Sequence, residues 1–117
     1  MKIEKIEDII IWQESRMLVK DIYGLFKSCR DFSFKDQIQR AAISIMNNIA
    51  EGFERRGDKE FRRFLYIAKG SCGEVHSMLY AAFDLGYIDK QTFTNLYEKT
   101  DCISRKTAVF ISKLNYQ

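Results

Sequence analysis

A chain of 117 residues is long enough to close one hydrophobic core and too short for two, so a single domain is expected. Hydrophobic residues make up 46% and charged residues 30%, with a net charge of only +3; this excludes a disordered chain, and no apolar run nears the roughly 20 residues that span a bilayer. Proline is absent and glycine occurs only six times, which removes the main punctuation of strand-rich and loop-rich folds and favours long helices.

Residues 1–7 carry Glu4 and Glu7 among their apolar positions and lack the apolar centre of a secretion signal, so they are read as an arm of unassigned conformation on a cytoplasmic protein. From there, apolar residues recur by alternating threes and fours, the spacing that puts them on one stripe of a helix. The first stripe is Ile11, Ser15, Leu18, Ile22, Leu25 and Cys29, predicting a helix over 8–29.

The second, predicted over 34–55, runs through Ile38, Ala42, Ile45 and Ile49, with Ser33 as its expected cap and Asp36 near its positive end. This helix is too apolar for a single seam, because Ile43, Met46, Ala50 and Phe53 form another stripe. A second subunit is the expected cover; the alternative is that helix tilt and the N-terminal arm bury it within one chain. Trp12, Tyr23, Tyr66 and Tyr80 lie beside the seams, where they can serve such a contact or the edge of the core.

The third helix, predicted over 58–86, has an unbroken seam of Phe61, Leu65, Ala68, Cys72, Val75, Leu79 and Ala82. The fourth, predicted over 89–115, follows Phe93, Leu96, Thr100, Ile103, Thr107, Phe110 and Leu114. Asp58 and Asp89 are expected to cap these two helices, and Gly57 and Gly86 to end the helices before them by accepting a left-handed conformation. Short connections force neighbours antiparallel, and a 3.5-residue seam favours shallow crossings, so the expected fold is an all-α, up-down-up-down four-helix bundle.

Residues that carry chemistry are sparse. His76 is the single histidine, so a carboxylate-bridged metal bundle, which needs a histidine from each of two helices, is excluded. Cys72 and His76 lie four apart but supply only two ligands, and no metal or cofactor is expected. Cys29, Cys72 and Cys102 are an odd, widely spaced set, read as buried thiols and not as disulfides. The small residues from Gly70 to Gly73 lack the strand and the Gly-Lys-Ser/Thr ending of a phosphate loop; two glycines in mid-helix imply instead that another backbone packs closely there. No catalytic residue is assigned, and the chain is not expected to be an enzyme.

Charge is more informative. Between Glu54 and Lys69 lie six basic residues against three acidic ones, a local excess of +3 that equals the net charge of the whole chain. Lys59, Arg62, Arg63 and Lys69 avoid the apolar seam of the third helix and so face solvent, where they suit phosphate contacts along a nucleic-acid backbone without implying base reading. An ordinary solvated face is the competing reading.

The run Gln37-Ile38-Gln39-Arg40-Ala41-Ala42-Ile43-Ser44-Ile45 followed by Asn48-Ile49-Ala50-Glu51-Gly52-Phe53 resembles the signature of small four-helix-bundle proteins named for genes in intervening sequences of bacterial large-subunit ribosomal RNA. Trp12-Gln13, Lys59-Glu60-Phe61, Arg63-Phe64-Leu65, Ile67-Ala68-Lys69-Gly70-Ser71 and Leu85-Gly86-Tyr87 extend the similarity along nearly the whole chain. It departs at Met46, where the family often has proline, and at Gln39, where it often has a second arginine, which trims the basic surface.

The resemblance implies a homopentameric ring and kinship with the accessory proteins of diversity-generating retroelements, which bind nucleic acid and a protein partner, a reverse transcriptase. Carried over by position, Asn48, Glu51 and Gly52 are read as fixing the second helix against the third. The expected function is a non-enzymatic oligomer that binds RNA or DNA through Arg40, Arg55, Arg56, Lys59, Arg62, Arg63 and Lys69, with a protein-recognising scaffold as the alternative.

Overall fold

The computed structural model describes residues 3–114: a short 3-10 turn, Ile6–Asp8, and four helices, α1 Ile10–Leu25, α2 Phe32–Glu54, α3 Asp58–Asp84 and α4 Lys90–Ser112. The expected end of the fourth helix at residue 115 lies outside these residues, as do the first two residues of the arm. Pairings between helices fix their directions. Ser44 meets Ser71 and Gly52 meets Phe64, so α2 and α3 run antiparallel. His76 stacks on Tyr97 and Phe61 meets Phe110, which reverses α4 against α3. Glu14 pairs with Lys106 and Asp21 with Lys99, reversing α1 against α4 and closing an up-down-up-down bundle about 46 Å long and 20 Å across.

The seams of α2 and α3 are buried at every expected position. Polar residues on the other seams are accommodated by their own helices: Ser15 donates to the Ile11 carbonyl, Thr100 to Leu96 and Thr107 to Ile103, so these three hydroxyls enter the core bonded. In α1 the expectation fails after Ile22. The helix stops at Leu25, the chain tightens through bonds from Lys27 to Gly24 and from Cys29 to Phe26, and Phe26 takes the core position while Leu25 is left 41% exposed. At the other end Ile9, outside the helix, is buried, and the Gln13 side chain donates to the Glu7 carbonyl to hold the short turn on α1.

Two expected caps are corrected. Asp31, not Ser33, caps α2, accepting from Phe34 N at 3.1 Å, and Ser33 lies inside the helix. The cap position of α3 is Gly57, extended at φ −144° with no side-chain bond, while Asp58 is in the first turn beside Glu60, where carboxylates meet the positive helix end. Gly57 therefore does not end α2; Arg56 takes the left-handed backbone there, at φ +61°. Asp89 caps α4 as expected, accepting from Thr92 N at 2.8 Å. Gly86 closes α3 at φ +76°, with Gly86 N bonded to Phe83 O and Tyr87 N to Ala82 O, the paired bonds of a Schellman end.

Candidate nucleic-acid interface

The turn between α2 and α3 gathers five of the seven expected basic residues, because the helix ends there and restarts within three residues. Arg55 reaches back one helical turn to Glu51 at 3.1 Å and across the connection to Glu60 at 3.9 Å. Arg63 also meets Glu60, at 3.5 Å, and both guanidiniums lie over the Phe64 ring, 5.0 Å and 4.8 Å from its centroid. Arg56 lies over Phe53 at 4.8 Å and Arg62 over Tyr66 at 5.7 Å. Lys59 is exposed in the first turn of α3. The aromatic rings hold the cations in place through stem packing and ring-face attraction; Arg55, Arg56, Lys59 and Arg63 are exposed, whereas Arg62, expected to face solvent, is half-buried.

Lys69 lies seven residues beyond Arg62, about 10 Å along α3, half-buried beside Cys72. Arg40 is not part of the cluster. It is fifteen residues before Arg55 on the same helix, about 22 Å away, and pairs with Asp36 at 2.8 Å. The ion pairs at Arg40, Arg55 and Arg63 are all exposed, so each holds its cation weakly and an incoming phosphate can compete for it.

The second stripe of α2 divides. Ile43, Met46 and Ala50 are half-buried in the single chain, whereas Phe53 is only 6% exposed and packs edge-on against Phe61, with ring centroids 6.2 Å apart. Phe53 therefore belongs to the core and is withdrawn from the expected oligomer face. The large apolar side chains left in the open lie off this stripe and include Phe32 at the start of α2, 71% exposed, Leu85 just beyond α3, 58% exposed, and Ile10, Met17 and Val109 on α1 and α4, each 55% exposed.

The polar residues of α2 act mainly within the bundle. Asn48 donates to the Ser44 carbonyl and hydroxyl at 2.8 Å and 3.0 Å, and Ser44 Oγ meets Ser71 Oγ at 2.8 Å, forming a polar rung between α2 and α3. Gly52 supplies the close approach of these helices: a Cβ there would be 2.8 Å from Phe64 Cβ. Glu51 points to Arg55 and not to α3. Gly70 and Gly73 overturn the packing expected of them, since nothing lies within 4 Å of a Cβ built at either.

Of the three thiols expected to be buried only Cys72 is; Cys29 and Cys102 are half-buried. Burial pushes the Cys72 thiol up to about 12 against the opposing pull of Lys69. The His76 ring is stacked 4.1 Å from Tyr97, and its Nε2 is shielded from solvent without a hydrogen-bond partner. Among the described residues no three metal-ligating side chains converge, and no helix is long and apolar enough to cross a membrane.

An aromatic cluster on α3 and α4 escaped sequence reasoning. Tyr80 lies 4.9 Å from Phe93 and 5.9 Å from Tyr97, and Phe83 lies 5.7 Å from Phe93. Its signal was the spacing of His76, Tyr80 and Phe83 along one helix, which becomes a cluster only when Phe93 and Tyr97 of the next helix are laid beside it.

Comparison with known proteins agrees with this architecture. No curated protein matches the chain. Among solved structures, a protein of unknown function from the S23 ribosomal protein family of Bacteroides thetaiotaomicron superposes with a TM-score of 0.82 at 21% identity, covering 87% of this chain and 98% of that one. At that identity the likeness concerns the fold alone. The model of the 23S rRNA-intervening sequence protein family matches residues 7–108, and with most of its length matched, the chain belongs to that family.

Proposed function

We propose that this chain is a non-enzymatic, cytoplasmic bundle that binds RNA or DNA through its basic end and multiplies that contact by self-association. The observation that carries the reading is the gathering of Arg55, Arg56, Lys59, Arg62 and Arg63 around the α2–α3 turn, in a segment holding an excess of positive charge equal to that of the entire chain. Lys69 extends the surface along α3. Arg40 contributes only where a long strand, or a neighbouring subunit, spans the distance. Phosphate contacts of this kind favour tight but sequence-tolerant binding. The family's name, which refers to ribosomal RNA, agrees with an RNA-related role.

Self-association through Ile43, Met46 and Ala50, with the pentamer that the resemblance implies, belongs to the same reading. The rival, a scaffold that recognises another protein, draws support from the open apolar residues Ile10, Met17 and Val109.

Salt dependence separates the two. Retention of mixed RNA or duplex DNA is expected to weaken steeply between low and moderate salt, and Arg62→Ala with Arg63→Ala is expected to lower the log-log slope by about 2. Binding that is absent at low salt, or indifferent to both salt and these substitutions, would overturn the phosphate reading.

A further inference from the structure

We infer that the surface of α3 beside α4 is a stacking platform for unpaired nucleic-acid bases, continuous with the basic end. This rests on the phosphate-binding reading above and names its ligand more closely: single-stranded RNA or DNA, not duplex. Along α3, Arg62, Lys69, His76 and Phe83 recur every seventh residue, and Tyr66, Gly73 and Tyr80 form a second row on the same side. Residues spaced by sevens, threes and fours share one helix face. The strip therefore runs from cations to rings over about 30 Å, along α3's border with α4.

Each half has a distinct chemistry. At one end Arg62 lies over Tyr66 and Lys69 follows two turns later, a pair of cations that suits a phosphate chain. At the other end His76, Tyr80, Phe83, Phe93 and Tyr97 pack ring against ring, which fixes their orientation in advance, yet Tyr80 remains 53% exposed. Between the halves the strip narrows to bare backbone at Gly73, with nothing near the missing Cβ, so a sugar–phosphate chain can approach the helix closely. Asp84, one turn beyond Tyr80, gives the strip a polarity: phosphates are favoured at the Arg62 end and uncharged base faces at the Tyr80 end.

A duplex would hide its base faces from such rings, whereas an unpaired strand presents them. A second copy of this chain suits the strip less well, because Lys69 would fall in the middle of the contact, and interface cores are depleted in lysine.

The test is fluorescence anisotropy with a labelled polyadenylate strand, alone and annealed to its complement, beside light scattering of each variant. Tyr80→Ala is expected to weaken single-strand binding by about tenfold or more, Tyr80→Phe to retain it, and duplex binding to change in neither. Phe83→Ala serves as a second probe of the same cluster, and circular dichroism checks that each variant is folded. If Tyr80→Ala and Phe83→Ala bind the single strand as well as the parent while Arg62→Ala with Arg63→Ala loses it, the stacking inference fails and the phosphate reading survives. If the parent retains neither strand at low salt, both fail. If Tyr80→Ala alters the scattering mass, the strip is a contact between protein chains and the inference is overturned.

Discussion

A methyl group added at Gly52 would meet Phe64 Cβ at 2.8 Å and Phe61 Cδ1 at 2.9 Å, whereas the same group at Gly73 would meet open space. The Cβ of Phe64 cannot swing aside as a side-chain tip can, so α2 and α3 would have to separate. Gly52→Ala is therefore expected to destabilise the fold by about 1–3 kcal/mol, in the range of overpacked cores. Gly73→Ala is expected to stabilise it by about 0.5–1 kcal/mol, the usual gain when a helical glycine in open space becomes alanine. Urea denaturation of the two variants reads both signs, and equal effects would refute the asymmetry. The sequence pattern marks Gly70 and Gly73 of the third helix as sites of close packing, and the structure shows the reverse. A helical glycine announces only that a side chain is missing; whether a neighbour fills the space depends on how adjacent helices cross, which no local pattern encodes.

At the scale of the elements, periodicity was a good guide to the middle of each helix and a poor one to its ends. A buried stripe is a repeated signal, confirmed by each turn, whereas a terminus rests on one or two residues. Ser33 and Asp31 are both competent caps two positions apart, and what distinguishes Asp31 lies far away in sequence: Tyr87 Oη, in the α3–α4 connection, donates to Asp31 Oδ2 at 2.6 Å. That bond ties the α1–α2 connection to the α3–α4 connection. It also holds the Asp31 carboxyl below the usual carboxylate range, with the Phe34 amide adding to the effect, and pushes the Tyr87 phenol up. A depressed carboxyl contributes stability above its unfolded value, near 3.9, and loses that contribution as pH falls through its folded value. Asp31→Asn keeps a capping oxygen and removes the charge. The parent is thus expected to exceed Asp31→Asn in stability at pH 7, with the difference fading below about pH 4. Urea midpoints measured at pH 7 and pH 3 check this, and a gap that persists unchanged in acid would show that the charge is not responsible.

For the whole molecule, the bundle and its basic end were legible because both arise from local runs: the cations crowd into two helical turns around a single connection. Arg40 was legible as an outlier as well, since the helix expected over 34–55 already places it fifteen residues, about 22 Å, from Arg55. The apolar excess of α2 was read correctly as a pattern and too generously as a surface, because Phe53 is claimed by Phe61 within the same chain. What remains of that stripe, Ile43, Met46 and Ala50, is half-buried, so it suits a contact between subunits that adds to cover already present. If the basic ends act together in an assembly, breaking the assembly must weaken nucleic-acid binding although no cation is touched, and the loss through multivalency is on the order of a hundredfold or more. Ile43→Glu with Met46→Glu places carboxylates on this face, and light scattering is expected to report a single protomer whose RNA affinity and salt slope both fall. A folded variant that stays assembled would move the contact elsewhere, with Met17→Glu on α1 as the next substitution to examine. A lone protomer that binds RNA as tightly as the parent would leave multivalency with no part in the mechanism.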